Sequence, residues 1–178
     1  MRDASYALTG QDIQHILRSV GENTNIIEYA DLYKINRIEN VMINHSVVIL
    51  YRSTPTQAHW CCCYFNSEGF NFFDPYGIII DNEINEITQN NPTYANDYYR
   101  NGTKRLIELI INGDYGKINY NEHKLQDMKA DINTCGRWCA TRLIYKEYSL
   151  KDFVDLLNKY KRNRTLDDLV CDITNKLF

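Results

Sequence analysis

Four side chains spread along this 178-residue chain supply the parts of a nucleophilic site: His59, Asp74, Gln126 and Cys135. An imidazole takes and returns a proton, a carboxylate holds that imidazole in one orientation, and a thiolate attacks carbonyl carbon. A carboxamide or a free backbone N–H then stabilises the negative oxygen that develops. His59 lies in Ala58-His59-Trp60, Asp74 in Phe73-Asp74-Pro75-Tyr76-Gly77, and Cys135 in Asn133-Thr134-Cys135-Gly136. Taken singly, each has an ordinary structural role: a strand histidine packs, Asp-Pro-x-Gly turns, and Cys-Gly lets two elements approach. Together, in this chain order, they read as cysteine peptidase chemistry.

Those residues need elements to hold them. Thr9 with Asp12 forms a capping pair, and Ile13, Ile16, Leu17 and Val20 repeat at helical spacing until Gly21. Residues 26–40 read as irregular, and 41–50, rich in β-branched residues, as a strand. A strand over 59–65 is joined to one over 70–74 by Asn66-Ser67-Glu68-Gly69, a four-residue hairpin connection. Residues 81–102 are polar and Asn-rich and read as loop with some helix. Thr103 opens a helix through Ile111, and 117–120 suggests a short strand. A central helix begins at or just before Cys135, and Ser149/Asp152 and Thr165/Asp168 open two more. The pattern is α+β, a central and mainly antiparallel sheet packed against helices, in one domain over 1–178.

Within the hairpin, the turn pairs Phe65 with Phe70, Cys63 with Phe72 and Cys61 with Asp74. Alternation puts His59, Cys61, Cys63 and Asp74 on one face. His59 is then diagonal to Asp74, at the roughly 7–8 Å spacing that an imidazole and a carboxylate bridge. The expected bond runs from the imidazole Nδ1–H to the carboxylate. Asn133 and Thr134 look like N-cap residues, placing Cys135 in a first helical turn, where the helix dipole favours thiolate. Gly136 leaves room for a substrate carbonyl, and the Cys135 N–H is free to serve the oxyanion. Gln126 is the first choice for a second donor, at the end of the 117–120 strand and its continuation, and Asn133 is the second.

Bulk properties narrow the classes. Hydrophobic residues make up 44% and charged residues 24%, ordinary for a globular protein, with a net charge of -3. That balance does not suggest a nucleic-acid or membrane partner. Met1-Arg2-Asp3-Ala4-Ser5 leads into no apolar leader segment. The six cysteines are therefore expected as thiols in a reducing compartment. A zinc site from His59, Cys61, Cys135 and Cys139 is conceivable, but no Cys-x-x-Cys knuckle supports it, and zinc leaves Asp74 and Gln126 idle. Neither a metal nor an organic cofactor is called for. Cys62, Cys63, Cys139 and Cys171 read as small core residues.

His-Trp, then a hairpin to Phe-Asp-Pro-Tyr-Gly, then Gln and Cys-Gly at a helix start resembles the superfamily of the adenovirus maturation protease and the ubiquitin-like-protein proteases (deSUMOylases). Asn-Thr-Cys-Gly-Arg-Trp-Cys over 133–139 looks like the capsid maturation proteases of virophages and polinton-type elements. The resemblance spans about residues 10–148. It implies His59 as base, Asp74 as its orienting acid, Cys135 as nucleophile and Gln126 in the oxyanion hole. Gln126 stands a couple of residues farther from Cys135 than is usual there. Trp60 corresponds to the aromatic beside the histidine, which with Gly136 and Asn133 makes the expected substrate-binding set. The implied activity is an endopeptidase cleaving after small residues such as glycine. Implied partners are capsid, penton or scaffold proteins and an activating peptide, in the virion and host-cell cytoplasm. A protease of ubiquitin-like modifiers and a non-catalytic or zinc-binding module of the same fold are the alternatives.

Overall fold

The computed structural model describes residues 3–178. Met1 and Arg2, where the segment read for a leader begins, lie outside the described residues. Five strands form one sheet in sequence order: β1 (Asn25–Glu28), β2 (Ser46–Arg52), β3 (Ala58–Asn66), β4 (Gly69–Phe73) and β5 (Ile118–Tyr120). The α+β layout with helices against a central sheet is the observed one. The three inner strands pair antiparallel, whereas β1 and β5 join the edges in parallel. The hairpin register places Phe65 opposite Phe70 and Cys63 opposite Phe72. Gly69, at φ 107, supplies the turn's positive backbone angle.

Helices cover both faces. α1 (Gly10–Ser19), α5 (Cys135–Ile144), α6 (Leu150–Lys161) and α7 (Leu166–Asn175) pack on the face bearing Val48, Trp60, Cys62, Tyr64 and Phe73. α2 (Asn82–Asn90), α3 (Pro92–Tyr98) and α4 (Arg105–Gly113) pack on the other, against Val47, Ile49, Tyr51, Cys61 and Cys63. The alternation of β2 and β3 residues between the two cores follows from the pleat. No helix among the described residues is long and apolar enough to cross a membrane.

Several local expectations need correcting. β2 begins at Ser46 rather than at residue 41, because Ile38–Val41 forms a 3₁₀ turn. Asn44 and His45 then adopt positive φ, a left-handed turn conformation that breaks the extended chain. Residues 25–28 form an edge strand where irregular chain was expected; only its pairing with β2 defines it. The Asn-rich stretch 81–102 folds into α2 and α3, driven by burial of Ile84, Ile87 and Ala95. Thr103 does not cap α4: its hydroxyl bonds the Arg100 carbonyl at 2.8 Å, and Lys104 occupies the cap position.

α5 is the most enclosed helix, with every residue from Cys135 to Leu143 buried. Its Arg142 is tolerated there because every guanidinium nitrogen donates a hydrogen bond. Nε donates to the Tyr64 hydroxyl at 2.8 Å, and both Nη atoms donate to the carbonyls of Tyr145 and Tyr148 at 2.7 Å. A helix anchored this firmly is a fixed platform for whatever its first residue does.

Candidate active site

β3 and β4 build the first half of the site. His59 is the second residue of β3 and lies beyond the last β3–β4 pair, Cys62 with Phe73. Pro75 has no amide hydrogen to extend the ladder, so the chain turns there, closed by Gly77 N–H to the Asp74 carbonyl at 2.9 Å. Gly77 has φ 71, and a Cβ on it would sit 2.9 Å from the His123 carbonyl carbon, so the position demands glycine. Inside the turn, the Tyr76 amide donates to Asp74 Oδ1 at 2.7 Å. Asn121 holds the Asp74 backbone from the other side, accepting from its N–H at 2.9 Å and donating to its carbonyl at 2.5 Å.

The carboxylate thus fixed bridges two side chains of β3. His59 Nε2 meets Asp74 Oδ1 at 3.0 Å, and the Cys61 thiol donates to Oδ2 at 3.2 Å. His59 is 6% exposed and Asp74 1%. A carboxylate only accepts, so Nε2 carries the proton. The ring nitrogen is therefore not the expected Nδ1. Spanning the diagonal gap takes the full length of the imidazole, and its outer nitrogen makes the bond. Nδ1 is the ring nitrogen that Asp74 does not engage. The Tyr76 ring stacks on the imidazole, with centroids 4.6 Å apart and 22° between planes.

Cys135 arrives from the opposite layer as the first residue of α5. Cys135 comes near enough to the His59 ring to help raise its pKa, after the larger effect of Asp74. The two layers meet here because β4 has already turned away. Thr134 occupies the N-cap position, but its side chain does not cap the helix. The hydroxyl turns instead to Asp167 Oδ1 in the first turn of α7. Asp167 also accepts from Trp138 Nε1 and from the Asp127 amide, each at 2.9 Å. With no side-chain cap, the first-turn N–H groups of α5 keep their partial positive charge around Cys135.

No protein-family model matches the chain. Uncharacterized protein V9 of Sputnik virophage is 33% identical over 173 residues, covering 94% of this chain and 94% of that protein. The chain belongs to the V9 family. Among solved structures, SUMO protease Ulp1 with its catalytic cysteine oxidised to a sulfonic acid aligns over 97% of this chain and 80% of that one. The identity is 12% and the TM-score 0.37. The Ulp1 protease domain in complex with Smt3, the yeast ortholog of SUMO, aligns with the same identity and score, over 98% of this chain and 80% of that one. Similarity of that degree says nothing of chemistry, and the geometry of this V9-family site stands by itself.

Electrostatics favour a charged imidazole. Burial alone pulls the His59 pKa down. The Asp74 carboxylate, by charge and by hydrogen bond, and then Cys135, outweigh that and carry it well above its ordinary value. Burial, and after it the Asp74 charge, pushes the Cys61 thiol up, so it stays a hydrogen-bond donor. The Tyr76 phenol is pushed up to about 12 by burial first, with the nearby Cys135 and Asp74 adding to it. Glu83, in the first turn of α2, is pushed up to about 7; loss of water is the main cause, His59 opposes it, and Asp74 adds to it.

The remaining sequence-predicted residues are placed as follows. Gln126 lies in the loop after β5 rather than on a continuation of that strand, buried, with its own amide and that of Leu125 on the Pro75 carbonyl. Its Nε2 donates to the Tyr76 hydroxyl at 3.0 Å and to the Ile132 carbonyl at 3.4 Å, while Oε1 is buried with no hydrogen-bond partner. Gln126 thus joins the site through Tyr76. Trp60 points into the α1/α5 core, its indole N–H on the Leu8 carbonyl at 3.0 Å. A Cβ on Gly136 would lie 3.1 Å from Leu8, Ile13 and Trp60. The glycine therefore serves helix packing. Asn133 is exposed, but its amide and side chain are held by the Ala4 and Ser5 carbonyls at 2.7 and 3.0 Å.

Sequence reasoning assigned no part to Tyr76, Glu83, Asn121 or Asp167, and weighed Cys61 only as a ligand of a conceivable zinc site. Tyr76 sits inside the quoted Asp-Pro-Tyr-Gly turn, and Cys61 shares the His59 face; both signals were present. Asn121, Glu83 and Asp167 reach the site only through tertiary contacts and left no local signal.

Proposed function

We propose that this chain is a cysteine endopeptidase acting on viral particle proteins. The observation that supports it most is the relay itself: Asp74 holds His59 through Nε2 at 3.0 Å, which leaves Nδ1 for the thiol at the uncapped start of α5. His59 takes the thiol proton, and the sulfur of Cys135 forms a bond to the peptide carbonyl carbon. As the C–N bond breaks, the imidazolium returns that proton to the leaving amine and a thioester remains. Water, losing a proton to His59, then adds to the thioester, and the thiolate leaves.

The oxyanion is served by the Cys135 backbone N–H and by the carboxamide of Gln126, which must release Tyr76 or Ile132 to do so. The virophage relative supports a viral setting, and with it capsid, penton or scaffold proteins as substrates, in the virion or the host cytoplasm. Cleavage after small residues and activation by a peptide belong to the same reading.

The test is co-expression of the intact chain and its Cys135→Ala variant with the particle proteins of the same virus, followed by mass spectrometry of their termini. New termini sharing a short motif should form with the intact chain and be absent with the variant. Identical termini in both would end the assignment.

A further inference from the structure

Beside the relay lies a set of donor atoms larger than the relay uses. Among the described residues, His59, Cys61, Asp74 and Glu83 each direct one ligand-type atom into a common space, all within 4.8 Å of one another. Two are already in contact with Asp74, His59 Nε2 at 3.0 Å and Cys61 Sγ at 3.2 Å. Catalysis of the proposed kind needs only the imidazole and one carboxylate. It gives no work to a second acid.

We propose that these four residues bind a divalent transition-metal ion of the zinc type, and that the ion switches the protein off by taking His59 away from Asp74. The donors are one imidazole nitrogen, one thiol sulfur and two carboxylate oxygens, a set suited to tetrahedral zinc and unsuited to calcium or magnesium. Zinc bonds of about 2.0–2.3 Å put neighbouring ligand atoms roughly 3.3–3.8 Å apart. The widest pair must therefore close by about 1 Å, a movement within reach of the Glu83 side chain on the first turn of α2. Asp74 has an oxygen for each role. Oδ2 exchanges the Cys61 proton for the metal, while Oδ1 keeps the Tyr76 amide and orients the ligand. His59 Nε2 must give up its proton and its bond to Oδ1 in order to bind.

A surface depression lined by Ser53, Gln57, Glu83, Glu86 and Asn90 brings solvent to the Glu83 side of the group, with the acidic Glu86 beside it. The zinc grouping weighed from sequence, with Cys135 and Cys139, is not the one the fold assembles. Cys139 instead faces the Trp60 carbonyl, at 3.4 Å, on the other side of the sheet.

Metal binding is independent of the peptidase reading; only its inhibitory consequence rests on it. The two are separated by using the Cys135→Ala chain, which removes the nucleophile as an alternative thiolate, and titrating it with cobalt(II) as the probe. A single tight site with a thiolate-to-cobalt charge-transfer band is the expected result. Cys61→Ser in that background should abolish the band, and Glu83→Gln should weaken binding on the order of tenfold or more. Glu83 is only half buried, so its variant keeps the test open should Cys61→Ser fail to fold. Absence of the band in Cys135→Ala, or an unchanged affinity in Glu83→Gln, would overturn the site. With the active chain, zinc should inhibit cleavage reversibly by chelator. Glu83→Gln should need on the order of tenfold more zinc for half-inhibition of its own zinc-free rate. Equal zinc sensitivity would overturn the switch.

Discussion

Two buried aspartates serve the start of α5, and their partners make them opposites. Asp74 bonds His59 and Cys61, both of which can lose a proton. Asp167 bonds the Thr134 hydroxyl, the Trp138 indole and the Asp127 amide, none of which titrates at ordinary pH. Exposure does not distinguish them, at 1% and 3%. The chemistry of a buried carboxylate is set by what donates to it. Asp74 has partners that can lose a proton, whereas Asp167 pins α5 to α7 and to the loop before α5.

The contrast breaks most sharply at Asp74. Asp74→Asn should lower turnover by about 10³–10⁴-fold, the scale known for losing the orienting acid of a triad, with the fold intact. Turnover within a few-fold of the parent would make Asp74 a turn residue only. The same variant carries a pH signature. A histidine raised on folding contributes stability that is fully present below its unfolded value of about 6.5 and is lost as pH rises through the folded value. Thermal melts of the parent should show that loss on the alkaline side; those of Asp74→Asn should not.

Asp167→Ala should do the reverse. It leaves a hydroxyl, an indole N–H and a backbone amide unpaired inside the protein, at a cost of about 3–5 kcal/mol in denaturant unfolding. A loss below about 1 kcal/mol would show that water replaces the carboxylate and that the clamp is dispensable. A smaller effect of the same structural kind is expected at Gly136→Ala, which pushes a methyl to 3.1 Å from Leu8, Ile13 and Trp60. Overpacking of this sort costs about 1–3 kcal/mol, and activity should fall only as far as the folded fraction does. A large kcat loss in a fully folded variant would restore Gly136 to the substrate side. Least of all, Tyr76→Phe removes the hydroxyl that holds Gln126 at 3.0 Å but keeps the ring on His59. A change in kcat of about tenfold or less is expected; a loss as large as that of Asp74→Asn would place the hydroxyl itself in the chemistry.

Local rules carried well where one short stretch contains the whole cause. The capping pairs Thr9/Asp12, Ser149/Asp152 and Thr165/Asp168 all cap helices through their side chains. The Asn66–Gly69 turn set the β3–β4 register and, with it, the approach of His59 to Asp74. Such rules failed at β1, which is a strand only because β2 lies beside it, and at Thr134, whose hydroxyl preferred a remote carboxylate to its own helix. At Gly136 they could not name the packing partners, because the neighbours that crowd a side chain come from residues 8, 13 and 60.

Covalent spacing and the two-residue period of a strand determined the imidazole–carboxylate pair, because both sit on one hairpin whose turn leaves a single register. Which ring nitrogen faces the acid, what brings Cys135 near the ring and why Glu83 joins them were decided only by the folded chain. Those outcomes depend on β4 ending at Phe73 and on two helical layers closing over opposite faces of the sheet. Contacts between segments so far apart in sequence leave no mark in the local pattern of residue types.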